Sequence, residues 1–314
     1  MIAATSKAFF HTLAQVDLLR RLASRYGMRP GGFARRFIAG ETVEEALAAV
    51  EPLPARGLRL TLDYLGESVD SFEQAAAAAQ EYLRLIDAIV AAGVERNISL
   101  KLTQLGLDVD RATAVDNMRR ILEPADRQGF FVRIDMEDSS YVDRTLQVLD
   151  TLWQQGHRQV GTVIQSCLMR SPGDIEHLNG MGARVRLVKG AYKEPKSVAF
   201  QEKAQVDAAF VELMRQLLDH GTFPAIATHD PAMIDATRQY AASRGYAADR
   251  FEFQMLYGVR RDLQAALVKE GYGVRVYVPF GRQWFPYFMR RLGERPANVW
   301  FVVRGVLGER SSGA

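Results

Sequence analysis

Near the end of the chain Tyr287, Arg290, Arg291 and Glu294 fall at i, i+3, i+4 and i+7. On a helix this spacing puts them on or near one face. Two adjacent guanidiniums repel each other, and a planar carboxylate held by one or both forks is their natural partner. The stretch from Tyr277 to Glu294 reads as the end of a β-type run, a turn at Gly281, and then this helix. It points to a small anionic ligand. A solvated Arg290–Glu294 pair, worth about 0.3 kcal/mol, is the plainer account of the same spacing.

These residues follow the last of eight strand-like runs: Leu58–Leu65, Ile98–Leu105, Phe130–Met136, Val160–Cys167, Ala183–Val188, Ala225–Thr228, Phe251–Leu256 and Val274–Val278. Amphipathic segments alternate with them: Glu73–Ala91, Ala112–Gln128, Tyr141–Gln155, Ser171–Asn179, Lys196–His220, Pro231–Arg244 and Asp262–Glu270. The alternation predicts an α/β chain folded as a (βα)8 TIM barrel, with an open doubly wound sheet as the alternative. Residues 1–55 read as an N-terminal helical arm, with Ala8–Arg25 helical and a second helix opened by Glu41-Thr42; residues 56–314 read as the barrel.

The 314 residues are 48% hydrophobic, enough for a sizeable core, and the net charge is only +3. No block of like charges suggests a nucleic-acid tail. The lone Cys167 leaves no internal disulfide and suggests a reducing compartment. No apolar stretch is long enough for a membrane span, and no signal-peptide core precedes a cleavage site, so a cytoplasmic protein is expected. No dinucleotide fingerprint and no P-loop appears. His229 has no second histidine at ligand spacing, so no metal site is expected.

Barrel strands are buried on both faces and should be apolar, so polar residues at their C-terminal ends are candidates for the site. The runs supply, in order, Asp63 and Glu67, then Lys101, then Asp135, Glu137 and Asp138, then Gln165. They continue with Arg186 and Lys189-Gly190-Ala191-Tyr192, then Thr228, His229 and Asp230, then Glu252 and Gln254, and last Tyr277. Each has an ordinary structural account. Lys101 could snorkel to the rim or pair with Asp135, Arg186 could pair with Glu252, Asp135 could cap a helix, and Gly190 could only turn the chain. Their joint occurrence at consecutive strand ends is harder to explain that way. Lys189-Gly190-Ala191 could approach a phosphate.

Together these segments resemble the proline dehydrogenase family of flavoenzymes, in its monofunctional bacterial form. The matching segments are Leu62-Asp-Tyr-Leu-Gly-Glu67, Ile98-Ser-Leu-Lys101, Arg133-Ile-Asp-Met-Glu137, Arg186-Leu-Val-Lys-Gly-Ala-Tyr192, Ala227-Thr-His-Asp230, Phe251-Glu-Phe-Gln-Met-Leu256, Tyr277-Val-Pro-Phe-Gly281 and Tyr287-Phe-Met-Arg-Arg-Leu-Gly-Glu294. The resemblance implies a distorted barrel with the last barrel helix over the active site, noncovalent FAD, and oxidation of L-proline to Δ1-pyrroline-5-carboxylate by hydride transfer from C5 to flavin N5. It implies a membrane quinone as electron acceptor, pyrroline-5-carboxylate dehydrogenase as a downstream partner, and peripheral contact with the inner face of the membrane.

By the same resemblance Asp135 and Arg186 are catalytic. Lys101, Arg290 and Arg291 hold the carboxylate, with Tyr277, Tyr287, Leu256 and Glu294 also on the substrate and Leu187 and Tyr192 shaping the ring pocket. Glu67 gates the site with Arg290. Met136, Gln165, Arg186, Val188, Lys189, Gly190, Ala191, Thr228 and His229 contact FAD. Lys193 departs from the aromatic residue of other branches. No fused aldehyde dehydrogenase or DNA-binding segment is expected. The competing accounts are a flavin-free barrel enzyme for a phosphorylated substrate, a non-enzymatic carboxylate binder, and methylenetetrahydrofolate reductase.

Overall fold

A computed structural model describes residues 27–28 and 32–294, and their side chains except those of Phe33 and residues 290–294. Eight parallel strands close into a barrel in chain order. They are β1 (Leu58–Tyr64), β2 (Asn97–Leu100), β3 (Phe131–Ile134), β4 (Val160–Gln165), β5 (Val185–Val188), β6 (Ala225–Ala227), β7 (Glu252–Leu256) and β8 (Gly273–Phe280). The helices are α1 (Val43–Val50), α2 (Phe72–Ala92), α3 (Arg111–Arg127), α4 (Val142–Gln154), α5 (Ser171–Met181), α6 (Lys203–His220), α7 (Pro231–Ser243), α8 (Arg261–Lys269) and α9 (Trp284–Glu294). Each of the eight runs holds a strand, and the doubly wound alternative falls away.

Local chemistry fixes the helix ends. The side chains of Ser71, Asp110 and Asp230 accept from the amides of Gln74, Thr113 and Ala232, which caps α2, α3 and α7. Gly93 and Gly182, both left-handed, stop α2 and α5.

Two expected boundaries move. The second run leaves the sheet at Leu100, and a 3-10 turn occupies Thr103–Leu105. There the Thr103 amide and hydroxyl turn to the Glu137 carboxylate. The segment from Lys196 is not helical until Lys203. The amides of Val198 and Ala199 fold back on the Pro195 carbonyl, and Phe200 N donates to Cys167 O at 2.8 Å, so the chain makes a tight turn there and is tied to the loop after β4 before the helix begins.

The described chain falls into two compact units. The larger, Glu51–Asp63 with Glu67–Tyr277, carries most of the barrel. Strand register and alternation show which side chains face inward. The paired positions Asp63–Ser99–Arg133–Gly161 and Val163–Arg186–Ala225–Glu252 lie on the inner face, and Gln254–Arg275 and Leu256–Tyr277 continue it. The interior is therefore polar, and strongly charged, where an apolar filling was expected. Arg186 faces in, so its neighbour Leu187 faces the helix layer, fully buried, and does not line the interior as expected.

The smaller unit takes residues up to Val50, Tyr64–Gly66 and the chain from Val278. The expected arm thus shares its residues up to Val50 with this unit; the Ala8–Arg25 helix lies outside the described residues. Leu65 N donates to Phe280 O at 2.8 Å, and Ala39 N to Pro279 O at 2.9 Å. Gly281, at φ +124°, lies where a Cβ would come within 3.1 Å of the Tyr64 ring, so the turn into α9 needs glycine. Trp284, Phe288 and Phe37 pack together, and the Trp284 indole donates to Glu41 Oε1 at 2.9 Å.

Candidate active site

The inner faces of β1, β2, β3, β5, β7 and β8 bring one polar cluster together near their C-terminal ends. At its centre is Arg186 on β5, only 5% exposed. Its Nη1 donates to Asp135 Oδ1 at 2.6 Å, its Nε to Gln254 Oε1 at 2.5 Å and its Nη2 to Ser99 Oγ at 2.9 Å. The guanidinium also lies 5.3 Å from the centre of the Tyr277 ring. The Tyr277 hydroxyl donates to the other Asp135 oxygen at 2.8 Å. Burial, then Asp135 and Asp63, hold that phenol well above its ordinary range, so it stays protonated as a donor.

Lys101 lies beside this group. Its ammonium is 3.5 Å from Asp63 Oδ2, and both residues are buried. Burial alone would lower the Lys101 pKa; Asp63, Asp135 and Glu67 outweigh it and hold the ammonium charged. Two cations and two carboxylates thus balance, as their burial requires. Arg186 pairs with Asp135, not with Glu252; Lys101 pairs with Asp63 and lies only within electrostatic reach of Asp135.

Around the rim, Gln165 Nε2 donates to the Glu137 carbonyl at 2.8 Å. The Glu137 carboxylate takes the Thr103 hydroxyl at 2.7 Å; burial nevertheless pushes its pKa up to about 7. His229 Nε2 accepts from Leu256 N at 2.9 Å, so the neutral ring carries its hydrogen on Nδ1. Thr228 Oγ1 accepts from Asp230 N at 3.1 Å. Lys189 is clasped by Asp207 and by Asp230, the latter at 2.6 Å. Gly190 has φ +106°, and a Cβ there would come within 2.4 Å of Cys167 Sγ. Met136 is buried, Val188 and Leu256 are half-buried, and Ala191 is exposed.

Asp135, Arg186, Lys101 and Tyr277 therefore form one connected group, with Leu256 on the same inner face. Glu67 is half-buried, within electrostatic reach of Lys101. Tyr287 is buried within the smaller unit. The side chains of Arg290, Arg291 and Glu294 lie outside those described. Of the two residues that orient Arg186, Gln254 was among the strand-end candidates, whereas Ser99 was not singled out as a site residue. Their signal was a polar residue at every second position of a strand: Ser99 and Lys101, Arg133 and Asp135, Glu252 and Gln254, Arg275 and Tyr277.

Compared with known proteins, residues 46–304 match the family model described as Proline dehydrogenase. The chain belongs to the proline dehydrogenase family. Proline dehydrogenase 2 of Bacillus subtilis (strain 168) is 41% identical over 301 residues, covering 96% of this chain and 98% of that protein. The proline dehydrogenase of Deinococcus radiodurans is 45% identical over 300 residues, covering 94% and 96%. Among solved structures, proline utilization A (PutA) from Bdellovibrio bacteriovorus, inactivated by N-propargylglycine, superposes with a TM-score of 0.77 at 28% identity. That match covers 83% of this chain and 32% of the PutA chain. Proline dehydrogenases are oxidoreductases, and membership removes the non-enzymatic and folate-reductase accounts. Among the described residues no helix is long and apolar enough to cross a membrane.

Proposed function

We propose that this protein oxidises L-proline to Δ1-pyrroline-5-carboxylate with noncovalently bound FAD, the first step of proline catabolism, and that the electrons pass on to a membrane quinone. The observation that carries this reading is the charge-balanced cluster of Arg186, Asp135, Tyr277, Lys101 and Asp63 inside a barrel of this family. It suits a zwitterion, which brings one charge of each sign.

The residues present fit a flavin dinucleotide. Gly190 turns the chain at the end of β5 with positive φ, and among the described residues its amide and that of Ala191 have no hydrogen-bond partner. Consecutive amides in such a turn suit an anionic group. Lys189 is already neutralised by two aspartates, so these amides would meet the diphosphate more directly than its ammonium. Met136, Gln165, Val188, Thr228 and His229 would complete the cofactor's surroundings. Bound FAD supplies a two-electron acceptor for the carbon beside the amine.

The chain's own groups do the rest. Lys101 would anchor the carboxylate, together with Arg290 and Arg291 on the family likeness. Leu256, Tyr277 and Tyr287 would give the ring an apolar wall, with Glu294 and the Glu67 gate assisting. Anchoring at one end fixes which ring carbon faces the acceptor, and this positioning is most of what the protein must provide. Arg186, locked by three acceptors, would stabilise negative charge developing beside it without reorganising. The substrate amine loses its proton before the carbon is oxidised.

The same reading places the protein in the cytoplasm, touching the inner face of the membrane to deliver electrons, with pyrroline-5-carboxylate dehydrogenase taking the product. The test is a visible absorption spectrum of the purified protein before and after anaerobic L-proline. Oxidised flavin bands that bleach support cofactor and substrate together. Bands that persist with proline overturn the substrate, and their absence after FAD is supplied overturns the cofactor.

A further inference from the structure

We propose that Asp63 is a positioning residue of the carboxylate site: from the wall of β1 it keeps the Lys101 ammonium charged and placed to meet the substrate's carboxylate. The inference rests on the substrate reading above.

Asp63 has no exposed surface, and neither of its oxygens accepts a full hydrogen bond among the described residues. A buried carboxylate left in this state costs free energy, so its retention needs a reason. Asp135, two strands away, is different: both its oxygens are occupied, by Arg186 and by Tyr277. Asp63 is therefore the carboxylate left for Lys101, with Nζ 3.5 Å from Oδ2. At that distance the pair is electrostatic rather than a tight hydrogen bond. An ammonium has three N–H donors, so Lys101 keeps donors for an arriving acceptor.

The groups that face Asp63 are Lys101 from just beyond β2, Asp135 from beyond β3 and Tyr277 from β8. Lys101 is faced in addition by Glu67 and by Tyr192. Burial drives the Lys101 pKa down, and Asp63 is the largest influence holding it up. Take away the Asp63 charge and the largest influence opposing burial is gone. Asp135 and Glu67 still favour the ammonium, but the Lys101 pKa falls towards the working pH range, and the attraction for a carboxylate weakens as pH rises through it. Lysine readily shifts in this way when buried, whereas arginine does not.

The experiment uses the full-length, FAD-loaded protein. KM and kcat for L-proline are measured from about pH 6 to about pH 10 for wild type, Asp63→Asn and Asp63→Glu, and each variant is read as a ratio to wild type. This cancels the titration of proline's own amine. For Asp63→Asn the KM ratio rises about tenfold per pH unit above the lowered Lys101 pKa, while kcat changes by less than about threefold. Adding Lys101→Arg to Asp63→Asn removes that alkaline rise, because the guanidinium stays charged. Asp63→Glu keeps the charge but displaces it, so KM rises by a factor that does not vary with pH.

A KM ratio for Asp63→Asn that stays flat with pH overturns the inference. If Asp63→Asn does not fold, Asp63→Glu decides: raised KM with normal flavin content supports the role, and unchanged KM overturns it. Wild-type protein that fails to turn over proline overturns the substrate reading instead, so the two failures are distinguishable.

Discussion

Toward the N-terminal ends of the strands, Arg275 binds Glu252 through Nε at 2.7 Å and through Nη2 at 3.1 Å. Its Nη1 reaches the Leu60 carbonyl and Glu95. At the mouth of the same barrel, Lys101 lies 3.5 Å from an Asp63 that accepts no full hydrogen bond. Both regions bury charge, and at the mouth Arg186 and Asp135 are closely hydrogen-bonded too; it is the Lys101–Asp63 pair beside them that has no close hydrogen bond inside the protein. A saturated buried pair serves structure, because losing one partner strands the other. An unsaturated one leaves interactions for a ligand. Arg133 qualifies the contrast: its Nε has no hydrogen bond, yet its guanidinium lies 4.7 Å from the Phe131 ring and donates to two carbonyls.

The contrast predicts how each region fails. Arg275→Met leaves Glu252 buried without its main cation and should cost about 3–5 kcal/mol of stability. Denaturant unfolding would measure it, and a loss under about 1 kcal/mol would refute the structural role. Arg186→Met should act the other way round. It should lower kcat/KM for proline by roughly two to three orders of magnitude. It should also unfold less readily than Arg275→Met, since Asp135 keeps the Tyr277 hydroxyl. Equal stability losses in the two variants would erase the distinction.

Glu137 sharpens the comparison through pH. Burial raises its pKa from 4.5 to about 7, so the folded protein holds a proton there that the unfolded chain releases. Its stabilising contribution is complete below the unfolded pKa and fades as pH rises through about 7. The total fall attributable to it is at most about 3 kcal/mol. Glu137→Gln should flatten the stability profile between those limits; a profile that still falls as in wild type would assign the slope elsewhere. The smallest effect is expected at the rim. Gly190→Ala adds a Cβ at a positive φ and against Cys167, which should cost about 1–3 kcal/mol and loosen FAD. Cys167→Ala in the same chain should restore the part that is steric. Thermal melts with and without added FAD would separate the two contributions.

The fold was legible because parallel barrel strands alternate with amphipathic helices, and that period survives in sequence. All eight runs contain a strand. Boundaries slipped where side chains outcompeted the pattern, as at Thr103, whose hydroxyl and amide serve Glu137 instead of extending β2. The candidate site residues at strand ends were legible as polar interruptions of apolar runs. Glu252 and Gln254 were legible in the same way, but the interior partners Ser99 and Arg275 were legible only as every-second-residue polarity, which the expectation of an apolar barrel interior concealed. Pairings were not legible at all. Arg186 with Asp135 and Arg275 with Glu252 depend on register and on side-chain reach across the barrel, and neither quantity is written in one strand.

Gln254 stands between the two regions. Its Nε2 donates to Glu252 at 2.6 Å, and its Oε1 accepts from Arg186. The opposite demands of the two neighbours fix which way the amide points. An amide, unlike a carboxyl or an imidazole, has no proton to relay at ordinary pH. The residue therefore acts as electrical insulation. It ties Arg186 at the mouth to the arginine–glutamate lattice beneath while passing no proton between them.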